Sequence, residues 1–145
     1  MASLLKIGYY STMINQMRQG PSCNGKRNKA KPLLLWTIIS LVENNILKKN
    51  IITLEFLEDR YYKILNDFNV PRTVIIYPLF YLKNDGFWHL KWKYDKEAII
   101  QTPTFKFIND NIDYAYFDED FWILLQENNA REKIKEVLIK MITND

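Results

Sequence analysis

The sequence predicts an α+β fold: one compact, mostly helical single domain spanning residues 1–145, with a small antiparallel sheet. Three observations carry that expectation. Leu54, Leu57, Tyr61, Ile64, Leu65 and Phe68 share one face at helical spacing, and Ile134, Val137, Leu138 and Met141 repeat the pattern near the end. A strongly apolar run follows Pro32. Asn84-Asp85-Gly86 is a turn signal, and residues 87–93 after it end in strand-like alternation.

The elements follow in chain order. Leu4, Leu5, Ile7, Met13, Ile14 and Met17 give a loose helical pattern over residues 3–18, which Gly20-Pro21-Ser22 ends. Residues 20–31 read as an exposed basic loop. Pro32 suits the first position of a helix, where its missing N–H is not needed. Residues 33–47 continue as a buried helix, closed by Asn44-Asn45 and Lys48-Lys49. Ile51-Ile52 predicts a short strand. Thr53 predicts an N-cap for a helix over residues 54–68. Val70-Pro71-Arg72 is a connector. Residues 74–77 are expected to be extended, because a residue before proline is pushed out of the α region. Pro78 then starts a short helix over residues 79–82, with Phe80 and Leu82 in the core and Lys83 facing solvent. Residues 95–112 are ambiguous, with strand-like pieces around Ile99 and Phe105. Asp118 is the expected cap of a helix over residues 119–126, and Asn128 or Asn129 of another over residues 130–142.

Composition narrows the function classes. The lone Cys23 cannot form an internal disulfide, nor a zinc site with the single His89, which fits a reducing, cytoplasmic setting. No apolar run approaches the roughly 18 residues of a membrane span. The start, Met1-Ala2-Ser3-Leu4-Leu5-Lys6, lacks the apolar stretch and cleavage site of a signal peptide. Charge is unevenly spread. Residues 1–42 hold Lys6, Arg18, Lys26, Arg27, Lys29 and Lys31 and no acid, while from Glu43 onward 17 acids face 14 Lys and Arg, a net of −3. Such asymmetry suits a polyanion bound on a basic face, although a solvated N-terminal arm gives the same composition.

Catalytic machinery is not expected. One histidine cannot build a metal-dependent nuclease site. Glu58-Asp59 and Glu119-Asp120 are adjacent, so on helices they diverge. No phosphate-binding glycine loop or nucleophile elbow occurs, and Cys23 with distant His89 makes a poor nucleophile pair. No cofactor and no metal are implied. Binding chemistry is what remains. Lys26, Arg27, Lys29 and Lys31 precede a helix start, where side-chain cations and backbone N–H groups both suit phosphate oxygens. Tyr77-Pro78 is rigid. Facing solvent, it offers a hard apolar surface with a hydroxyl rim; packed inward, Tyr77 is simply core. Phe87, Trp88 and Trp92 read as core, and His89 as a surface strand residue.

These pieces, in order, resemble the sulfur-binding domain family: the basic segment, Lys31-Pro32-Leu33-Leu34-Leu35, Tyr77-Pro78 followed by Leu82, Asn84-Asp85-Gly86-Phe87-Trp88-His89-Leu90, and Phe117-Asp118-Glu119-Asp120-Phe121-Trp122 with Ala130-Arg131. The resemblance runs from about Asn15 to Ile142. Domains of this family lie on the N-terminal side of modification-dependent HNH restriction endonucleases. The resemblance implies recognition of double-stranded DNA in which sulfur replaces a non-bridging phosphate oxygen, within a restriction or defence system. Sulfur is larger, softer and less hydrated than oxygen, so an apolar dent accepts it at lower desolvation cost. Carried over, Tyr77, Pro78 and Tyr81 form the sulfur pocket. Lys31, with Ala30 beside it, matches the DNA-contacting position before the proline-led helix, and Lys83 and Lys106 are candidates for backbone contacts. Relatives often carry His or Arg where this chain has Ala30-Lys31, and an aromatic where it has Leu79. Lysine lacks arginine's bidentate reading of guanine, which relaxes sequence preference. No nuclease half follows Asp145, so the expectation is a fragment or a stand-alone reader working with a separate effector nuclease. Two other readings stay open: a reader of another modification or of plain duplex, and a protein-interaction module that recruits a nuclease through acidic, aromatic C-terminal helices.

Overall fold

The apolar run after the basic loop becomes the central helix α2 (Ala30–Glu43), in which Leu33, Leu34, Leu35, Ile38 and Ile39 are fully buried. A helix apolar on every side has to be surrounded, and here α7 (Asn128–Thr143), α3 (Leu54–Asp67) and α4 (Ile76–Tyr81) pack against it. The computed structural model describes residues 4–20, 27–94 and 102–144. Helix α1 (Leu4–Asn15) lies against α7 and α6 (Glu119–Leu125). The sheet has two antiparallel strands, β1 (Trp88–Trp92) and β2 (Ile112–Phe117), with Trp88 opposite Phe117, Leu90 opposite Ala115, and a bulge between Lys91 and Trp92. Ile52 adds an isolated bridge to Ala115. A short helix, α5 (Phe105–Asn111), leads directly into β2. The α+β class expected from the sequence is therefore the fold observed.

Aromatic packing joins sheet to helices. Phe117 stands edge-on to Trp88 and to Phe121 at 5.2 and 5.0 Å between ring centres, and Phe87 edge-on to Phe121 at 5.5 Å. Such geometry aligns ring edges with ring faces. The buried Trp88 indole donates to the Leu79 carbonyl at 2.8 Å, which fixes α4 against β1. Among the described residues no helix is long and apolar enough to cross a membrane.

Several local expectations hold. Thr53 caps α3, its side-chain oxygen accepting the Phe56 N–H at 3.2 Å. Leu57, Tyr61 and Leu65 form the buried face of α3, and Ile134 and Leu138 that of α7. Phe80, Leu82, Phe87 and Trp88 are core.

Others need correction. Pro32 is the third residue of α2, not the first, and α2 stops at Glu43 because Asn45 takes a left-handed conformation with φ 59°. Pro78 is likewise the third residue of α4, so Ile76 and Tyr77 are helical rather than extended. The first four N–H groups of a helix have no partner within it, so proline costs nothing at its third position. The preference against helix before proline is outweighed by burial of Ile75, Ile76, Leu79 and Phe80 on both sides of it. Phe105 opens α5 rather than a strand, with Thr104 accepting the Phe107 N–H at 3.0 Å. Ile99 lies outside the described residues. Asp118 occupies the cap position of α6, but its carboxylate makes no capping bond. Helix α7 begins at Asn128 itself, after Glu127.

Candidate functional site

Two helix starts meet at the candidate site. In each, a proline sits third and the residue before it, Lys31 or Tyr77, lines a common pocket of about 400 Å³. Proline brings no N–H, so neither helix places an unpaired backbone donor at that position. Tyr81, one turn beyond Tyr77, continues the wall, and Ala30 and Pro78 supply small apolar surface. The third side comes from residues 18–20 after α1, with Asn28, Thr73 and Asn84 completing the lining. Tyr77 is 39% exposed, so its ring is a surface feature and not core.

Gly20 and Asn28 are held together. Asn28 N–H donates to the Gly20 carbonyl at 2.7 Å, and the Gln19 amide donates to the Asn28 carbonyl at 3.0 Å. Asn28 Oδ1 in turn accepts the Ala30 N–H at 2.8 Å, satisfying one of the free donors of α2.

Asp85 joins these walls. It ends a 3₁₀ turn (Leu82–Asp85), and Gly86, at φ 96°, reverses the chain into β1. Its side chain is only 2% exposed; one carboxylate oxygen lies 2.6 Å from the Lys31 ammonium, and the other accepts the Arg18 N–H at 3.0 Å.

The predicted cations divide. Arg27 is exposed, and Lys31 lines the pocket but is paired with Asp85. Lys29 donates its ammonium to the carbonyls of Met141 and Asn144 at the end of α7, a favourable place for a cation. Lys83 is half-buried, its ammonium 5.0 Å from the centre of the Phe80 ring, rather than fully solvent-facing. Lys106 lies on α5, does not line the pocket, and pairs with Asp110 at 2.8 Å, which holds its ammonium above the ordinary range. Lys26 lies outside the described residues. Sequence reasoning passed over Arg18, which is exposed at the pocket edge, and Asp85 as its anchor. The absence of acids before Glu43 was the available signal for Arg18.

A second hollow, of about 470 Å³, lies around Tyr10, Asn50, His89, Tyr116 and Asp118, with Glu119 and Asp120 at its edge. Asp118 accepts the Tyr10 hydroxyl and pairs with His89, so His89 is half-buried and tethered rather than a bare surface residue. Burial, with Asp118 beside it, pushes the Tyr10 phenol well above its ordinary range. Among the described residues no group of His, Cys, Asp and Glu could hold a metal ion.

No protein-family model matches the chain, and no curated protein matches it.

Proposed function

We propose that the chain is a reader of phosphorothioate DNA: it binds duplex DNA and seats the sulfur against Tyr77, Pro78 and Tyr81. One observation carries the reading. The two separated segments that the resemblance nominates, Ala30-Lys31 and Tyr77-Pro78-Tyr81, line one surface pocket. Its apolar walls favour a weakly hydrated sulfur over a phosphate oxygen, which loses water there without an equal replacement. Arg18 and Arg27, both exposed, supply backbone charge. Lys29 and Lys106 drop out of the contact set. The role is recognition, with no catalytic step and no cofactor.

The test is fluorescence-polarisation binding to a short duplex with one phosphorothioate, beside its unmodified twin, at two salt concentrations. Preference for sulfur that survives the higher salt supports the reading. Tyr77→Ala then removes the preference, while Arg27→Ala weakens both duplexes together and lowers the salt slope by about 0.9. Equal binding to both duplexes leaves a plain-duplex binder and overturns the reading. A second reading, a protein-interaction module that recruits a nuclease, is favoured by α6, which exposes Ile123 (58%) beyond the acidic turn of Glu119 and Asp120. Retention of a partner nuclease with no DNA binding at low salt selects it.

A further inference from the structure

We infer that Asp85 is a specificity-determining positioning residue, which lowers the affinity of the pocket for ordinary phosphate by holding the charge of Lys31. The inference deepens the DNA-reader proposal and rests on that reading. Lys31 lines the pocket, where a free ammonium would meet any phosphate oxygen that entered. It is not free: its side chain is 11% exposed and its Nζ lies 2.6 Å from Asp85 Oδ2. Asp85 is itself 2% exposed, and a carboxylate so buried needs a partner. Its second oxygen takes the Arg18 N–H, so one residue both fixes a pocket wall and neutralises the only lysine in the lining among the described residues.

The consequence is asymmetric. A phosphate oxygen seated against Tyr77, Pro78 and Tyr81 gives up water and finds apolar surface and an already satisfied ion pair. Sulfur carries the same single negative charge on a larger, softer atom and gives up less water. Discrimination then comes from penalising the wrong ligand as much as from favouring the right one. The tether also keeps Lys31 in one place, so its methylene stem serves as apolar wall.

Asp85→Asn is the direct test, because the amide oxygen still accepts the Arg18 N–H while the charge is gone. Binding to plain and phosphorothioate duplexes is measured for the wild type, Asp85→Asn, Lys31→Gln and the double variant, with thermal melting of each. Lys31→Gln keeps a donor to Asp85. The expected result is that Asp85→Asn tightens plain-duplex binding by about three- to tenfold, with a salt slope steeper by about 0.9, one extra phosphate contact. The phosphorothioate duplex gains less, so the ratio between the duplexes falls, and adding Lys31→Gln removes most of the gain. If the gain is equally large in the Lys31→Gln background, only the loss of a negative charge was seen, and the inference is overturned. Parallel weakening of both duplexes with a lowered melting temperature also overturns it, as a purely structural role. The plain-duplex arm involves no sulfur. A wild type blind to sulfur therefore sinks the DNA-modification reading while the coupling between Asp85 and Lys31 is still read out.

Discussion

His89 Nε2 lies 2.5 Å from Asp118 Oδ1, and the other oxygen of that carboxylate accepts the Tyr10 hydroxyl at 2.9 Å. One side chain thus ties β1, α1 and the start of α6 together. Asp118→Ala leaves the buried Tyr10 hydroxyl without its acceptor and His89 without its partner, at an expected cost of about 2 kcal/mol in urea unfolding. Asp118→Asn costs less, because its amide oxygen still accepts from Tyr10. Asp118 lines none of the pocket between α2 and α4, so the ratio of binding to modified and plain duplex stays unchanged in Asp118→Asn.

Acid should loosen the contact between α2 and α7. Hydrogen bonding from Lys135, at 2.9 Å, holds the Glu43 carboxyl below its ordinary value of 4.5, with Arg131 adding to the effect and burial opposing it. A carboxyl with a depressed folded value binds fewer protons folded than unfolded. Its stabilisation is therefore complete above about pH 4.5 and is lost as pH falls through the lower, folded value. Glu43→Gln should flatten the acid limb of a plot of melting temperature against pH. An unchanged acid limb would show that other carboxyls control it.

Base acts on two tyrosines. Burial raises both Tyr61 and Tyr10 above the ordinary phenol value of 10.0, with Asp118 adding to Tyr10 and Tyr62 to Tyr61. The neutral phenols favour the fold, so their contribution to stability is level below about pH 10 and declines above it as the unfolded chain ionises first. Tyr61 carries a further consequence. Its hydroxyl is buried and has no hydrogen-bond partner among the described residues. Tyr61→Phe removes that desolvated group, and an expected gain of about 1 kcal/mol is checked by urea unfolding at neutral pH, with a shallower alkaline decline as the second readout.

Sequence legibility followed the range of the interaction. Helix α3 was readable because its cap, Thr53, and its stripe, Leu57, Tyr61 and Leu65, are local signals. Both prolines were read as helix-start residues, but each helix begins two positions before its proline; at Pro78 the rule about the preceding residue is local while the burial of Ile76 and Leu79 is not. Tyr77, Pro78 and Tyr81 were named together through the family resemblance, and α4, which was expected to start only after Tyr77, places Tyr77 and Tyr81 one turn apart. The carbonyls that engage Lys29, those of Met141 and Asn144, were not legible because they lie at the far end of the chain. Asp85 was legible as a turn residue and not as the partner of Lys31, since nothing within the turn announces a contact with the start of α2.

Gly86 tests how much of that site depends on the turn. Its φ of 96° is one that side chains rarely adopt, and a Cβ built there would collide with Met13 Cε. Gly86→Ala therefore carries two costs: backbone strain of about 1 kcal/mol, and a clash with the flexible end of Met13. The double variant with Met13→Ala relieves the clash and leaves the strain. Thermal melting should rank the proteins as wild type, then the double variant or Gly86→Ala, with the gap between those two set by the balance of relieved clash against the lost Met13 methylenes. The binding readout is sharper. The residue displaced by strain at Gly86 is its neighbour Asp85, so Gly86→Ala should lower discrimination between modified and plain duplex even after correction for the folded fraction. Met13→Ala alone should leave that ratio intact. A Gly86→Ala protein that melts lower yet keeps the full ratio would show that the pocket tolerates movement of the turn, and that Asp85 is held by Lys31 and Arg18 rather than by the chain reversal after it.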